Sequence, residues 1–212
     1  MSPIDISADG AELLLSPSVV RQANSGWMAP ARFWFQLLAG GPPRISGLEG
    51  HDASWSRDRQ QIAYAIRRQI HIARNDGTSS HKLTDLPGVA SGLRWSPDGK
   101  RIRFTHHSGT ALKDTAIWEV SAQGGKAYPV FSDWKENQGS GYWTPDGKYY
   151  LFTRVREGVS QIWAAPETSP WFKKRTRDLV QLTTGPWNAI FLRQARTGRD
   201  CFSLECGKER VC

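Results

Sequence analysis

A tight-turn motif recurs four times along this chain, and that recurrence limits the possible folds more than any other feature. The copies are Ile6-Ser7-Ala8-Asp9-Gly10, Trp55-Ser56-Arg57-Asp58-Arg59, Trp95-Ser96-Pro97-Asp98-Gly99 and Trp143-Thr144-Pro145-Asp146-Gly147, with their aspartates 49, 40 and 48 residues apart. A period of 40 to 50 residues is the signature of a stacked repeat architecture, in which one unit cannot bury its own apolar faces. Each residue type suits its place in a type I turn: Ser96 at the first position, Pro97 with its preset φ at the second, Asp98 at the third. Gly99 then supplies a positive φ.

Each turn is followed by a short apolar run: Leu13 to Leu15, Ile62-Ala63-Tyr64, Ile102-Arg103-Phe104 and Tyr150-Leu151-Phe152. A second run follows at Phe33-Trp34-Phe35, Ile70-His71-Ile72, Ile117-Trp118 and Ile162-Trp163. Gly40-Gly41, Asp76-Gly77 and Gly124-Gly125 then turn the chain into a short last strand. Four strands per repeat is the reading. Leu93 and Trp95 share one face of their strand opposite Arg94, and Ile102 and Phe104 share one face opposite Arg101 and Arg103. Such faces need cover from neighbouring sheets, which radial stacking supplies. The expected fold is therefore an all-β propeller of four-stranded blades, about four of them present, as part of a six- or seven-bladed ring. A β-sandwich with similar turns is the alternative, but it gives no reason for one turn to recur at this period.

The copies at Trp95 to Phe104 and Trp143 to Phe152 resemble the TolB-like repeat of WD-repeat-related bacterial propellers, a Trp-Ser-Pro-Asp-Gly-Lys turn followed by an Ile-x-Phe strand. The resemblance runs over residues 4 to 186, with repeats near 4–50, 51–90, 91–138 and 139–186. It is degraded in the first two copies, where Arg57 and Arg59 replace Pro and Gly. Propellers of this kind are similar to the interaction domain of TolB, to sensory propellers joined to winged helices in bacterial regulators, and to the substrate-gating propeller of prolyl oligopeptidases. The resemblance implies a non-catalytic interaction or sensor scaffold with a protein partner, and no catalytic residue to carry over. The alternative it implies is the gating propeller of a hydrolase whose catalytic domain lies elsewhere. A periplasmic or cytoplasmic location follows from the resemblance alone.

Chemistry-bearing motifs are sparse. The chain contains no Gly-x-Ser-x-Gly elbow, and Gly40-Gly41 and Gly124-Gly125 sit between strands as turns, so neither a hydrolase nucleophile nor a cofactor is expected. Asp9, Asp58, Asp98 and Asp146 stand a whole repeat apart and read as turn caps, together with Trp95, Pro97, Gly99, Trp143, Pro145 and Gly147. His106-His107 with Asp114 is the one compact group of metal-ligand types, and His51-Asp52 is placed to approach it. Adjacent histidines in a strand point to opposite faces, so no metal site is expected. The candidate binding rim is the loop from Ser16 to Ala31 with Trp27, and the segment 133–138 with Trp134, since Trp and Arg dominate interaction hot spots.

Ten Trp and 39% hydrophobic residues are those of a globular chain, and no run approaches the ~20 apolar residues of a membrane-spanning helix. The first residues, Met-Ser-Pro-Ile-Asp-Ile, lack the basic and apolar regions of a secretory leader. The net charge of +8 is uneven: residues 1–170 hold nineteen basic and sixteen acidic side chains, and the remainder nine and four. That balance argues against nucleic-acid binding through the repeats, and the run Lys173-Lys174-Arg175-Thr176-Arg177 reads as a solvated insertion.

All three cysteines, Cys201, Cys206 and Cys212, fall in a tail where a fifth turn is due and no strand alternation is visible. Back-translated and read one base earlier from the last base of the Pro186 codon, this tail can spell Thr-Pro-Ser-Pro-Asp-Gly-Lys-Arg-Leu-Phe-Phe at the due position. Residues 187–212 are therefore expected to be out of frame or disordered. The test is the nucleotide sequence of the gene: the shifted codons are expected to spell the turn, and any other reading there removes the idea.

Overall fold

The computed structural model describes residues 1–7, 9–16, 29–108, 114–167 and 179–184, and the backbone of strands at 192–197, 199–206 and 209–211. The described chain is all strand and turn. The first sheet holds β1 (Ser2–Ile6), β2 (Glu12–Ser16), β3 (Ala31–Leu37) and β4 (Arg44–Gly50). The second holds β5 (Asp52–Trp55), β6 (Gln61–Ile66), β7 (Gln69–Arg74) and β8 (His81–Asp85). The third holds β9 (Val89–Trp95), β10 (Arg101–Ser108), β11 (Asp114–Ser121) and β12 (Tyr128–Pro129). The fourth holds β13 (Asn137–Trp143), β14 (Tyr149–Arg156), β15 (Val159–Pro166) and β16 (Val180–Gln181). Every sheet is an antiparallel meander in chain order. Successive first strands β1, β5, β9 and β13 neighbour one another, so these are four blades set around an axis.

The recurring turn joins the first two strands of every blade and closes in the same way each time. The N–H of Gly10, Arg59, Gly99 and Gly147 donates to the carbonyl of Ser7, Ser56, Ser96 and Thr144 at 2.8 to 3.0 Å. The hydroxyl of that Ser or Thr donates to the Asp two residues on, and accepts the N–H of the residue five on at 2.9 to 3.0 Å. The same Asp oxygen accepts a further backbone N–H, from Ala11, Gln60, Lys100 or Lys148. This satisfies the polar groups of a turn that has no sheet partner. The fourth residue has φ of 72°, 62°, 69° and 70° in the four turns. Glycine adopts that region freely, but Arg59 does so at a cost.

Cross-strand pairs fix which blade face is which. Trp55 lies opposite Ile62, Trp95 opposite Ile102 and Trp143 opposite Tyr150, all on the face turned to the preceding blade. Trp55 stacks on Phe35 of the first blade at 5.7 Å, and Trp95 donates its indole N–H to the Ser54 carbonyl of the second at 3.1 Å. The first two interfaces are apolar, with Leu14, Phe33, Phe35, Ile62 and Tyr64 in one and Ile70, Ile72, Leu93, Ile102 and Phe104 in the other. In the first blade the equivalent face carries the row Leu15, Trp34 and Ile45 and meets no preceding sheet among the described residues.

The described backbone at 192–197, 199–206 and 209–211 forms three antiparallel strands, β17 (Leu192–Thr197), β18 (Arg199–Cys206) and β19 (Glu209–Val211), with β17 beside β13. No strand alternation marks this stretch in the sequence. A ladder is built from backbone N–H and C=O groups, and an alternating side-chain pattern is not required for it. No helix long and apolar enough to cross a membrane occurs among the described residues.

Trp95→Ala removes the indole that fills the second interface and leaves a cavity between two sheets. The expected loss is about 3–5 kcal/mol, read as a lower urea midpoint. A loss under about 1 kcal/mol would show that the Trp is not the interblade wedge.

Candidate functional site

The first strand of each blade has one edge turned to the axis, where its N–H groups find no strand partner. Side chains from the preceding blade meet them. Asp5 Oδ2 accepts the N–H of Trp55 at 2.8 Å and the Ser54 hydroxyl at 3.0 Å. Asp52 Oδ2 accepts the N–H of Gly92 and of Leu93. Thr105 Oγ1 accepts the N–H of Ser140 at 3.2 Å, the same link made by a hydroxyl. Burial pushes the Asp52 carboxyl above its usual range, against the pull of Arg94 and the two amides. These side chains latch blade to blade along the axis.

Arg94 begins a second polar system, which crosses the third blade from axis to outer edge. Backbone register sets Arg94, Arg103, Glu119 and Tyr128 side by side on the face that meets the fourth blade. The corresponding row of the second blade is Ser54, Ala63, Ile72 and His81. Arg103 is 1% exposed, with Nε 2.6 Å from Glu119 and its two terminal nitrogens 2.8 and 3.2 Å from the Glu167 carboxylate. Arg101 lies 3.5 Å from Glu119 and 3.3 Å from Glu167, and the Tyr128 hydroxyl donates to Glu119 at 2.7 Å. Arg101 and Arg103 face Glu119 and Glu167, so this part of the seam is neutral.

The fourth blade supplies aromatic faces to the same row. The Arg103 guanidinium lies 4.8 Å from the Trp143 ring and 4.5 Å from that of Tyr150, and Arg94 lies 4.3 Å from the Tyr142 ring while donating to its hydroxyl. Guanidinium groups so enclosed regain from the ring quadrupoles part of what they lose in hydration. Tyr150 packs so closely that a Cβ on Gly141 would lie 1.9 Å from its hydroxyl, which keeps residue 141 a glycine. Burial holds the Tyr150 hydroxyl protonated well above the usual tyrosine range.

The turn residues Asp9, Asp58, Asp98 and Asp146 sit at one end of the blades in four separate turns. Hydrogen bonds from Ser7, Ser56 and Thr144 hold Asp9, Asp58 and Asp146 below the usual carboxylate range. At Asp98 partial burial pushes the other way and is outweighed by Ser96 and the Lys100 N–H. Pro97 and Gly147 bring the third and fourth turns together, since a Cβ on Gly147 would lie 3.2 Å from Pro97 Cγ.

At the opposite end, Trp134 is half-buried against Phe152, Trp163 and Phe131, with ring centroids 5.8, 5.1 and 6.1 Å away. Arg154 spans this cluster, 4.2 Å from the Trp134 ring, and is ion-paired with Glu136. Trp27 lies outside the described residues. These histidines have partners among the blades: His106 stacks on Trp118 at 4.3 Å and His107 bonds Ser91 at 2.7 Å within the third sheet, and His51 bonds the Ala90 carbonyl of that sheet at 2.8 Å from the link before the second. Among the described residues no three His, Cys, Asp or Glu side chains gather as metal ligands would.

Arg94, Arg103, Glu119 and Glu167 are the residues that sequence reasoning did not gather. Their one signal was an arginine on each of two successive strands, opposite the apolar face and flanking the same turn. It could have been found by asking what covers that second face.

No family model matches the chain. It is similar to dipeptidyl-peptidase 5 of Porphyromonas gingivalis, 28% identical over 133 residues, covering 56% of this chain and 19% of that protein. It is also similar to the uncharacterized peptidase YuxL of Bacillus subtilis, 29% identical over 103 residues, covering 46% of this chain and 16% of that protein. The chain thus matches under a fifth of the length of these curated relatives. Among solved structures it resembles the putative TolB of Agrobacterium tumefaciens, with TM-score 0.62, 20% identity, and 84% of this chain and 63% of that one covered. TolB of Acinetobacter baumannii gives TM-score 0.61 and 18% identity, over 95% of this chain and 51% of that one. A prolyl endopeptidase structure gives 0.56 and 14%, over 87% of this chain and 29% of that one. The chain has the fold of the TolB-like β-propellers.

Arg103→Ala leaves Glu119 and Glu167 buried without their main counter-ion and is expected to cost about 3–5 kcal/mol. Replacing Arg103, Glu119 and Glu167 together by Met, Leu and Leu is expected to restore most of that loss. Urea titration of both variants decides: equal losses in the two would mean that the charges do not act as a unit.

Proposed function

We propose that this chain is a non-catalytic, TolB-like propeller that binds a protein partner at the rim opposite the recurring turns. The observation that carries this reading is the cluster of Trp134, Arg154 and Trp163 at that rim, a composition typical of interaction hot spots. The described strands flanking segment 17–28 end and begin at the same rim, as does the blade link 130–136 that holds Trp134. Side chains on a scaffold latched by Asp5, Asp52 and Thr105 lose little freedom on binding.

A second reading is favoured by the two peptidase relatives and the prolyl endopeptidase structure: the propeller of a peptidase whose nucleophile lies in another domain. The full product of the gene separates the two. On the interaction reading it is not labelled by a fluorophosphonate, and affinity capture from its source cell retains a partner that Trp134→Ala loses while keeping a cooperative melt. Fluorophosphonate labelling at a serine would favour the peptidase reading, and partner capture unchanged by Trp134→Ala would take the anchor from the rim.

A further inference from the structure

The β6–β7 hairpin presents two arginines, the first of them in a conformation that an arginine adopts only at a cost. Ile66 pairs with Gln69, so the loop is the two residues Arg67 and Arg68, and Arg67 has φ of 53°. Two-residue hairpins favour Gly, Asn or Asp at positive φ because a Cβ crowds the backbone there. The β14–β15 hairpin of the fourth blade has the same loop length and uses Glu157 and Gly158, at 52° and 79°. Where that loop has a glycine, the second blade carries another arginine.

Both guanidinium groups are exposed, and among the described residues neither forms an ion pair. The nearest carboxylate along the neighbouring strand is already engaged. Asp85 accepts Lys82 Nζ at 2.7 Å and Gln69 Nε2 at 2.9 Å, and these two bonds hold it ionised. The hairpin is also anchored: the Arg68 carbonyl accepts the N–H of Leu86 at 2.8 Å, in the link that leads to the third blade. The tip thus presents two arginine side chains without an ion pair among the described residues, on an anchored backbone and on the same rim as Trp134.

We propose that Arg67 and Arg68 dock carboxylates of an acidic segment of a protein partner. The planar guanidinium matches a carboxylate through two parallel bonds, and the anchored backbone spares the loop itself from being ordered on binding. The two sites are too few and too local for the phosphate track of a nucleic acid, and residues 1–170 are close to charge balance. The proposal rests on the interaction reading and names part of the partner's chemistry.

The test uses the full chain with a fluorescein-labelled octaglutamate peptide, followed by anisotropy at low and high salt, beside an oligothymidylate of equal length. The chain is expected to bind the peptide, and Arg67→Ala with Arg68→Ala to weaken it at least about tenfold. Arg57→Ala, an exposed arginine at the opposite end, is the control and is expected to leave binding unchanged. Arg67→Gly is expected to melt no lower than the parent and still bind more weakly, a combination that a purely structural role would not give. No peptide binding, binding indifferent to the double substitution, or tighter binding of the oligonucleotide would overturn the proposal. If peptide binding fails while Trp134-dependent partner capture persists, this proposal alone falls; if both fail, the interaction reading falls with it.

Discussion

A four-stranded sheet with apolar side chains on both faces is stable only between two other sheets, and the rest of this molecule follows from how that demand is met. The Trp at the end of the first strand in the second, third and fourth blades, paired across the turn with Ile62, Ile102 or Tyr150, is the wedge that one blade drives into the blade before it. Its position depends on the turn. Three hydrogen bonds to the Asp and Ser or Thr side chains hold the strand ends in register, and a one-residue slip would carry the Trp to the opposite face. The motif recurs because its local chemistry and the packing between blades are one constraint.

The interfaces so made are not equivalent. Those between the first, second and third blades are hydrophobic, whereas the third and fourth meet through Arg103, Glu119 and Glu167 beneath Trp143 and Tyr150. A buried ion pair seldom adds stability over apolar residues of like volume, but breaking it is costly because a charge is stranded. The seam therefore favours one pairing of blades: a sheet offering no carboxylate at the position of Glu167 would leave Arg103 without its bidentate partner. The axial latches work alike, each carboxylate or hydroxyl reaching the free amides of the next first strand.

Two arginines of the second blade take a left-handed backbone conformation. Arg59 holds the left-handed conformation that glycine holds in the other three turns, and its guanidinium is paired with Asp9 of the first blade. Arg67 repeats the pattern at the other end of the same blade, without a carboxylate of its own. The conformational cost is offset in one case by a contact that can be seen. In the other, no carboxylate among the described residues pairs with the arginine.

Much of the fold was legible from residue order, because a turn that needs Ser, Pro, Asp and Gly in sequence is a local object, and its spacing counts blades. The apolar pairs beside each turn were legible for the same reason, since alternation assigns each side chain to a face. Which neighbour covers that face is a long-range matter, and so Arg103 appeared only as the polar side of an alternating strand until the fourth blade was set against it. The rim was half legible: Trp134 stood out as a tryptophan in a connecting segment, but Arg154 and Trp163, which enclose it, lie on two later strands. The sequence by itself determined a repeated four-stranded unit and the turn that builds it. Only the tertiary structure decided which charges are buried, which are latched and which are left to solvent, because burial belongs to the contact between sheets and not to any one strand.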